Sequence, residues 1–278
     1  MMPTPHGRRF RHILAAVDFS RPSAKAVRYA AAVARAGGGR VVALHAIDPL
    51  LSAAAARAYA GTPLIAETRA ALRKFVRSAI GADAAATVDC VVTIGSPTQT
   101  LLAECRRLKA DIIVVGTNGR GGIPKAFFGS TTQGLLRRHP GALMVIPPGC
   151  PNPSTTWPGP SVLAAIGQGA HRRAMMHAAV AAADLLGAWL TGVDADAALS
   201  RAARDESALI LLPMPAEQRV KAFRQGTAAY RFVCRTRRPV LVLHTGRRIG
   251  HAALRGRAAS ARLSATTATS PTIACATG

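Results

Sequence analysis

Aromatic and acidic residues are both scarce in this chain of 278 residues. Phe, Trp and Tyr make up 4% of it, and 13 acidic residues stand against 36 lysines and arginines, giving a formal net charge of +23. The shortage of aromatic residues and the absence of zinc-finger spacing argue against a base-reading RNA or DNA module. Because the positive charge is spread along the chain, we predict salt-sensitive attraction to polyanions but no specific nucleic-acid partner.

Paired cysteine motifs and long apolar runs are absent as well. The five cysteines are an odd number and include no CxxC pair. This argues against a disulfide framework or a zinc site and indicates a reducing compartment. No apolar run reaches 18 residues, and no signal-peptide core follows the basic N-terminus. The sequence therefore predicts a cytoplasmic protein without a membrane span.

The first half of the chain alternates short apolar runs with stretches of helical periodicity. Strands separated by helices of this length indicate a parallel sheet with right-handed crossovers, which is a doubly wound α/β fold. The predicted strands are 13–17, 41–47, 87–94, 111–115 and 142–146, and the predicted helices are 23–36, 64–80, 97–108 and 130–138.

A glycine-rich loop follows the fourth predicted strand. Gly116 and Gly119 are separated by two residues, and nine residues later Gly129 precedes the hydroxyls of Ser130 and Thr131 at the start of a predicted helix. Glycine lets the backbone turn sharply and approach phosphate oxygens, and a helix N-terminus attracts anions. The loop is neither a Walker A motif nor a dinucleotide fingerprint. From the loop alone, a phosphate site and an ordinary strand-to-helix turn both remain open.

Asp18 follows the first predicted strand. In doubly wound sheets, ligands bind beyond the carboxyl ends of the strands, at the point where the strand order reverses. If the first and fourth strands are neighbours at that point, Asp18 and Gly116 face one crevice, and the carboxylate can accept a sugar hydroxyl. A lone aspartate is about as often a turn or capping residue. The adjacent glycine loop favours the ligand contact.

These features resemble the signature of the universal stress protein family, Gly-x2-Gly-x9-Gly-Ser/Thr. The resemblance covers about residues 9–148 and includes Val17-Asp18-x-Ser20 and the run Leu-His-Ala-Ile-Asp at 44–48. It implies a five-stranded sheet of order 3-2-1-4-5 and an ATP-binding regulator of the stress response. The alternatives are a slow ATP hydrolase and a nucleotide-free interaction module, and the sequence offers no catalytic constellation.

The resemblance also assigns site roles. In ATP-binding members the aspartate after the first strand contacts the ribose, a role that falls to Asp18. The adenine-contacting position on the second strand, usually a valine, falls on Ala46. ATP would bring Mg²⁺ held mainly by phosphates and water, without a protein metal site. The phosphate-holding roles fall to Gly116, Gly119, Gly129, Ser130 and Thr131.

The second half repeats the pattern in degenerate form. The loop spacing returns as Pro213-x2-Ala216-x9-Gly226-Thr227. The proline removes an N–H, the alanine adds a Cβ that a close phosphate would strike, and Gly167 replaces the aspartate. We therefore predict a second copy that does not bind nucleotide, although the Gly-Thr pair leaves a residual anion site open.

These patterns divide the chain into segments. The second copy skips the third strand, which is an edge in the family order, so its sheet can shorten. Family members dimerise through the fifth strand, which implies an intramolecular pseudo-dimer in which 142–146 and 240–243 meet, and a further homodimer remains open. The predicted segments are a nucleotide-binding domain at 1–148, a proline-rich spacer at 149–160, the shortened copy at 161–246 and a basic disordered tail at 247–278.

Overall fold

The computed structural model describes residues 10–50, 52–53, 64–117, 128–194, 209–224 and 227–245. The strands of the first half are β1 (His12–Ala16), β2 (Arg40–Ile47), β3 (Val88–Ile94), β4 (Ile112–Gly116) and β5 (Ala142–Ile146). Its helices are α1 (Arg21–Gly37), α2 (Leu64–Ile80), α3 (Ala82–Ala86), α4 (Pro97–Arg107) and α5 (Ser130–Arg138).

The second half is shorter but built from the same alternation. Its strands are β6 (Ser161–Ile166), β7 (Trp189–Asp194), β8 (Ile210–Pro215) and β9 (Val240–Thr245). Its helices are α6 (Arg172–Leu186), α7 (Arg219–Ala222), which follows a 3₁₀ turn, and α8 (Ala228–Arg235). Within the described ranges, no helix combines the length and the apolar character needed to cross a bilayer.

The described strands form one sheet of order β3-β2-β1-β4-β5-β9-β8-β6-β7. The first half has the predicted order 3-2-1-4-5, and the second half is a shortened copy that ends at its second strand, so the predicted fold class is confirmed. β1 pairs in parallel with both β2 and β4. The strand order reverses there, and the carboxyl ends of strands at such a point are where doubly wound sheets bind ligands in a crevice.

The two halves meet where β5 pairs with β9. This pair is antiparallel, with Leu143 opposite Val242 and Met144 opposite Leu241, whereas β5 pairs with β4, and β9 with β8, in parallel. These four side chains are at most 1% exposed. Sheet and core therefore continue without interruption from one half into the other.

β8 contains two prolines and continues through both of them. Leu163 donates its N–H to Leu209 O, and Ile210 donates to Pro239 O, so odd-numbered residues of β8 direct their backbone groups towards β6. Pro213 and Pro215 are odd-numbered and lie past Leu211, where the pairing with β6 ends. Their missing N–H groups therefore leave the pairing with β9 intact.

The proline-rich segment 149–160 packs against helix α1 of the first half. Trp157 is buried, and its ring centroid lies 5.3 Å from that of Tyr29 on α1. Lys25 Nζ donates to Cys150 O over 2.5 Å, and Arg35 Nη2 donates to Ser154 O over 3.0 Å. The prolines prevent this segment from forming a helix or a central strand. Its backbone carbonyl oxygens are therefore available to accept hydrogen bonds from the lysine and arginine side chains of α1.

Candidate functional site

The predicted site residues that the structure describes lie at the carboxyl edge of the sheet. Ala15 of β1 is in register with Val114 of β4, so the turn at Asp18 and the end of β4 at Gly116 lie at one edge. Ala46 lies near the end of β2, opposite Thr93 of β3. Thr93 Oγ1 is buried and has no hydrogen-bond partner among the described residues, which leaves an unsatisfied hydroxyl beside Ala46.

Asp18 organises the turn that starts helix α1. Its Oδ1 accepts the backbone N–H of Ser20 over 3.0 Å and also the Ser20 hydroxyl. The Ser20 oxygen in turn accepts the N–H of Ser23 and caps α1. Asp18 therefore does stabilise a turn, which is one of the two roles that the sequence left open. Ser20, which the sequence offered only as part of a motif, is the residue that couples the carboxylate to the helix.

Phe19 fixes the wall of the crevice beside Asp18. Its φ of 63° is left-handed, a conformation that a bulky residue rarely adopts. The ring packs between His45, at a centroid distance of 4.6 Å, and Phe75, at 5.4 Å. His45 Nδ1 hydrogen-bonds Val17 O over 2.8 Å, so this histidine links β2 to the residue that follows β1.

Gly116 is required by packing at the end of β4. A Cβ built on it would lie 2.8 Å from Pro22 Cβ and 2.9 Å from Pro22 C, in the first turn of α1. Its carbonyl accepts the hydroxyl of Thr132 over 2.6 Å. The glycine thus lets α1 approach β4 closely, which is a reason for its presence that spacing alone does not reveal.

We expect Gly116→Ala to lower the free energy of unfolding by about 1–3 kcal/mol, because the added methyl group overpacks against rigid backbone and ring atoms. Urea denaturation measures the change. Gly149→Ala is the matched control, since its Cβ would meet only the flexible side chain of Arg237, at 3.4 Å or more. Equal stabilities for the two variants would contradict the packing argument.

The N-terminus of α5 has no side-chain cap among the residues that the structure describes. Gly129 is the N-cap residue and forms no side-chain hydrogen bond, so the first-turn N–H groups of Ser130 and Thr131 lack an intrahelical acceptor. The Ser130 side chain is exposed and Thr131 is half-buried. The turn is fixed because Gly129 N–H donates to Thr117 O over 2.7 Å. Gly119 lies outside the described residues.

The corresponding corner of the second half is closed by its own side chains. Thr227 is the N-cap of α8 and accepts the N–H of Tyr230 over 3.3 Å. His171 Nε2, at the start of α6, lies 3.4 Å from Glu217 Oε1, which follows β8. The Glu217 carboxylate and the occupied N-cap of α8 disfavour anion binding here. Pro213 and Ala216, which replace the two loop glycines of the first half, lie nearby in the sequence. Gly226 lies outside the described residues.

No described group of three His, Cys, Asp or Glu side chains is arranged to hold a metal ion. The described cysteines, at 90, 105, 150 and 234, are free thiols. Burial raises the pKa of the Cys150 thiol, and that of Cys105, to about 11. Neither is a thiolate at neutral pH, and neither supplies a nucleophile or a metal ligand in this state.

Comparisons with known proteins agree with this architecture. The sequence model of the universal stress protein family matches residues 9–147. A protein of Thermus aquaticus named "Universal stress protein in QAH/OAS sulfhydrylase 3'region" is 31% identical over 144 residues, which are 49% of this chain and 98% of the relative. A universal stress protein of Mycolicibacterium smegmatis is 29% identical over 140 residues, 48% of this chain and 47% of the relative, so the chain spans about half the length of that relative.

A solved structure matches most of the chain. The universal stress protein of Archaeoglobus fulgidus covers 86% of this chain and 98% of its own, with a TM-score of 0.61 and 14% identity. Identity this low shows the fold alone. A universal stress protein solved in complex with cAMP covers 50% of this chain at 20% identity and a TM-score of 0.37, which is too weak a likeness to transfer its ligand.

Proposed function

The chain belongs to the universal stress protein family, and from this premise we propose that it is a nucleotide-dependent regulator that binds ATP in the crevice between β1 and β4. The observation that carries the proposal is the uncapped N-terminus of α5 beside the Asp18 turn. Backbone donors at a helix start, together with the positive end of the helix dipole, favour phosphate.

Each predicted residue has a place in this proposal. The N–H groups and hydroxyls of Ser130 and Thr131 would hold phosphate oxygens, with Gly129 keeping the approach open. Gly116 and Gly119 would form the start of the phosphate loop. Asp18 would accept a ribose hydroxyl, and Ala46 would border the adenine. ATP supplies the charge that Mg²⁺ binds, with phosphates and water as its ligands. The contribution of the protein is to bind and orient the nucleotide.

A regulatory role accounts for these residues better than catalysis does. Phosphoryl transfer needs a positioned nucleophile and charge stabilisation beyond a phosphate cradle. Among the described residues around the proposed site, Asp18 is assigned to the Ser20 turn and the ribose, and His45 Nδ1 bonds Val17 O, so neither is placed as a base or nucleophile. We therefore propose that nucleotide occupancy changes shape or partner choice. Measurable turnover of labelled ATP by the purified protein would instead make it a slow hydrolase.

The arrangement of the two halves supports a further part of the proposal. We propose that residues 1–148 form the nucleotide-binding domain and 161–246 the degenerate copy, and that β5 and β9 join them as an intramolecular pseudo-dimer. Their antiparallel pairing is the supporting observation. A cytoplasmic location stays a prediction from the cysteine content, and further homodimerisation stays open to measurement.

Isothermal titration calorimetry with ATP and Mg²⁺ tests the binding proposal. Asp18→Asn removes the charge that would accept a ribose hydroxyl, so we expect an affinity at least about tenfold below that of the unmodified protein, as for a lost hydrogen bond to a charged group. Asp184→Asn, on the exposed side of α6, is the matched control and should bind normally. Absence of heat with the unmodified protein at millimolar ATP would refute the proposal and favour an interaction module without nucleotide.

A further inference from the structure

We propose that Tyr230, which belongs to the degenerate copy, is a positioning residue for the phosphate-binding end of the loop in the first copy. The inference rests on the proposed function and adds a residue that neither the family signature nor the loop spacing points to. It also gives the second copy a purpose that does not require a ligand of its own.

The contact joins the two halves next to the site. The backbone N–H of Phe128 donates to Tyr230 Oη over 3.4 Å. The two rings lie edge to face, with centroids 4.7 Å apart and an interplanar angle of 74°. Phe128 is 8% exposed and Tyr230 is 5% exposed. An edge-to-face aromatic pair in a buried setting contributes beyond the area it covers.

The contact between Tyr230 and Phe128 matters for the site because Phe128 lies just before the start of α5. Phe128 immediately precedes Gly129, the N-cap of α5. The N–H of Phe128 is held by Tyr230, and the N–H of Gly129 by Thr117 O. Two successive donors are thereby occupied by the protein, and the next two, on Ser130 and Thr131, are left for phosphate. Fixing the backbone before binding reduces the entropy lost when a ligand is bound.

Tyr230 is itself held in place by features of its own copy. Its N–H donates to the Thr227 hydroxyl oxygen that caps α8, and its hydroxyl also interacts with the Cys234 thiol one turn later. Burial raises the pKa of Tyr230, which keeps the hydroxyl neutral. Thr227, whose hydroxyl occupies the N-cap of α8, therefore also fixes Tyr230, the residue that contacts the loop of the first copy.

The experiment compares ATP with adenosine on the full chain by calorimetry. Adenosine lacks the phosphates that the loop would hold, so a positioning residue for the loop affects ATP alone. We expect Tyr230→Leu, which removes both ring pair and hydrogen bond, to weaken ATP binding about tenfold, and Tyr230→Phe, which keeps the ring, to weaken it about threefold. Adenosine affinity should stay unchanged in both variants.

Phe232→Leu is the matched control, because Phe232 is a buried aromatic residue on the same helix. It should leave the ratio of ATP to adenosine affinity as in the unmodified protein. An unchanged ratio in Tyr230→Leu, or the same change in Phe232→Leu, would overturn the positioning role while the proposed function stands. If the unmodified protein binds no ATP, both proposals fail, and that result is visible before any variant is made. Tyr230→Phe keeps the test decisive should Tyr230→Leu fold poorly.

Discussion

Leu241→Asp is expected to unfold the protein, or to lower its free energy of unfolding by at least about 4 kcal/mol, because it places an unpaired carboxylate in the middle of the sheet. Leu241 is 0% exposed. It is opposite Met144 of β5 on one side and Leu211 of β8 on the other. An aspartate there would lie in the buried apolar cluster that contains Leu241, and the surrounding backbone groups are committed to the strand ladder.

Urea denaturation followed by circular dichroism measures this change. Val220→Asp on α7 is the control, since Val220 is 41% exposed and its replacement should alter the stability by no more than about 0.5 kcal/mol. Leu241→Asp could instead remove the structure of the second half alone and leave a cooperative unfolding transition of the first half. That result would mean that the first half folds independently of the β5–β9 pairing. We expect that both halves lose their structure together, so that no separate unfolding transition remains.

Core packing explains why one transition is expected. The cluster on one face of the sheet includes Met144 and Ile146 of β5 together with Leu241 and Leu243 of β9. On the opposite face, Leu143 packs in the same cluster as Val242 and Phe232. About 90 residues form only a modest core by themselves. We therefore expect the second half to depend for its stability on packing against the strands of the first.

The parts of the fold that follow from local pattern were predictable from sequence. Buried parallel strands appear as continuous apolar runs, so the strand 142–146 has its predicted bounds and the first strand is shifted by one residue. The extension of β8 through Pro213 and Pro215 was not predictable, because the side of the strand on which an N–H is missing depends on where the neighbouring strand ends.

The site was predictable only as far as its motif reaches. The family resemblance identified the end of β4, the Gly-Ser-Thr helix start and Asp18. It did not reveal that Gly116 accommodates Pro22 or that Phe128 contacts Tyr230, which is 102 residues away in sequence. Such contacts arise from tertiary packing, and a single sequence gives no sign of them. The sequence therefore predicts the donors, and the structure adds the contacts that fix the backbone around them.

A further large effect is expected at the backbone N–H groups at the start of α5. We expect Ser130→Pro to weaken ATP binding between about tenfold and a hundredfold while the protein stays folded, because it removes one backbone N–H that would bond a charged phosphate oxygen. Ser130 is the first residue of α5, where proline is well tolerated. Gly129 before it has a φ of −59° and a ψ of 152°, which is the conformation that a following proline favours.

Ser130→Ala separates the backbone donor from the side chain, since it removes the hydroxyl and keeps the N–H. Calorimetry with ATP and Mg²⁺ should therefore rank the affinities as unmodified protein, Ser130→Ala and Ser130→Pro, in descending order. Urea denaturation should give the three proteins free energies of unfolding within about 1 kcal/mol of one another. Normal ATP affinity in folded Ser130→Pro would mean that the start of α5 does not bind phosphate through this N–H. The direct-donor proposal would then have to be abandoned, since no other change in that variant could restore the missing donor.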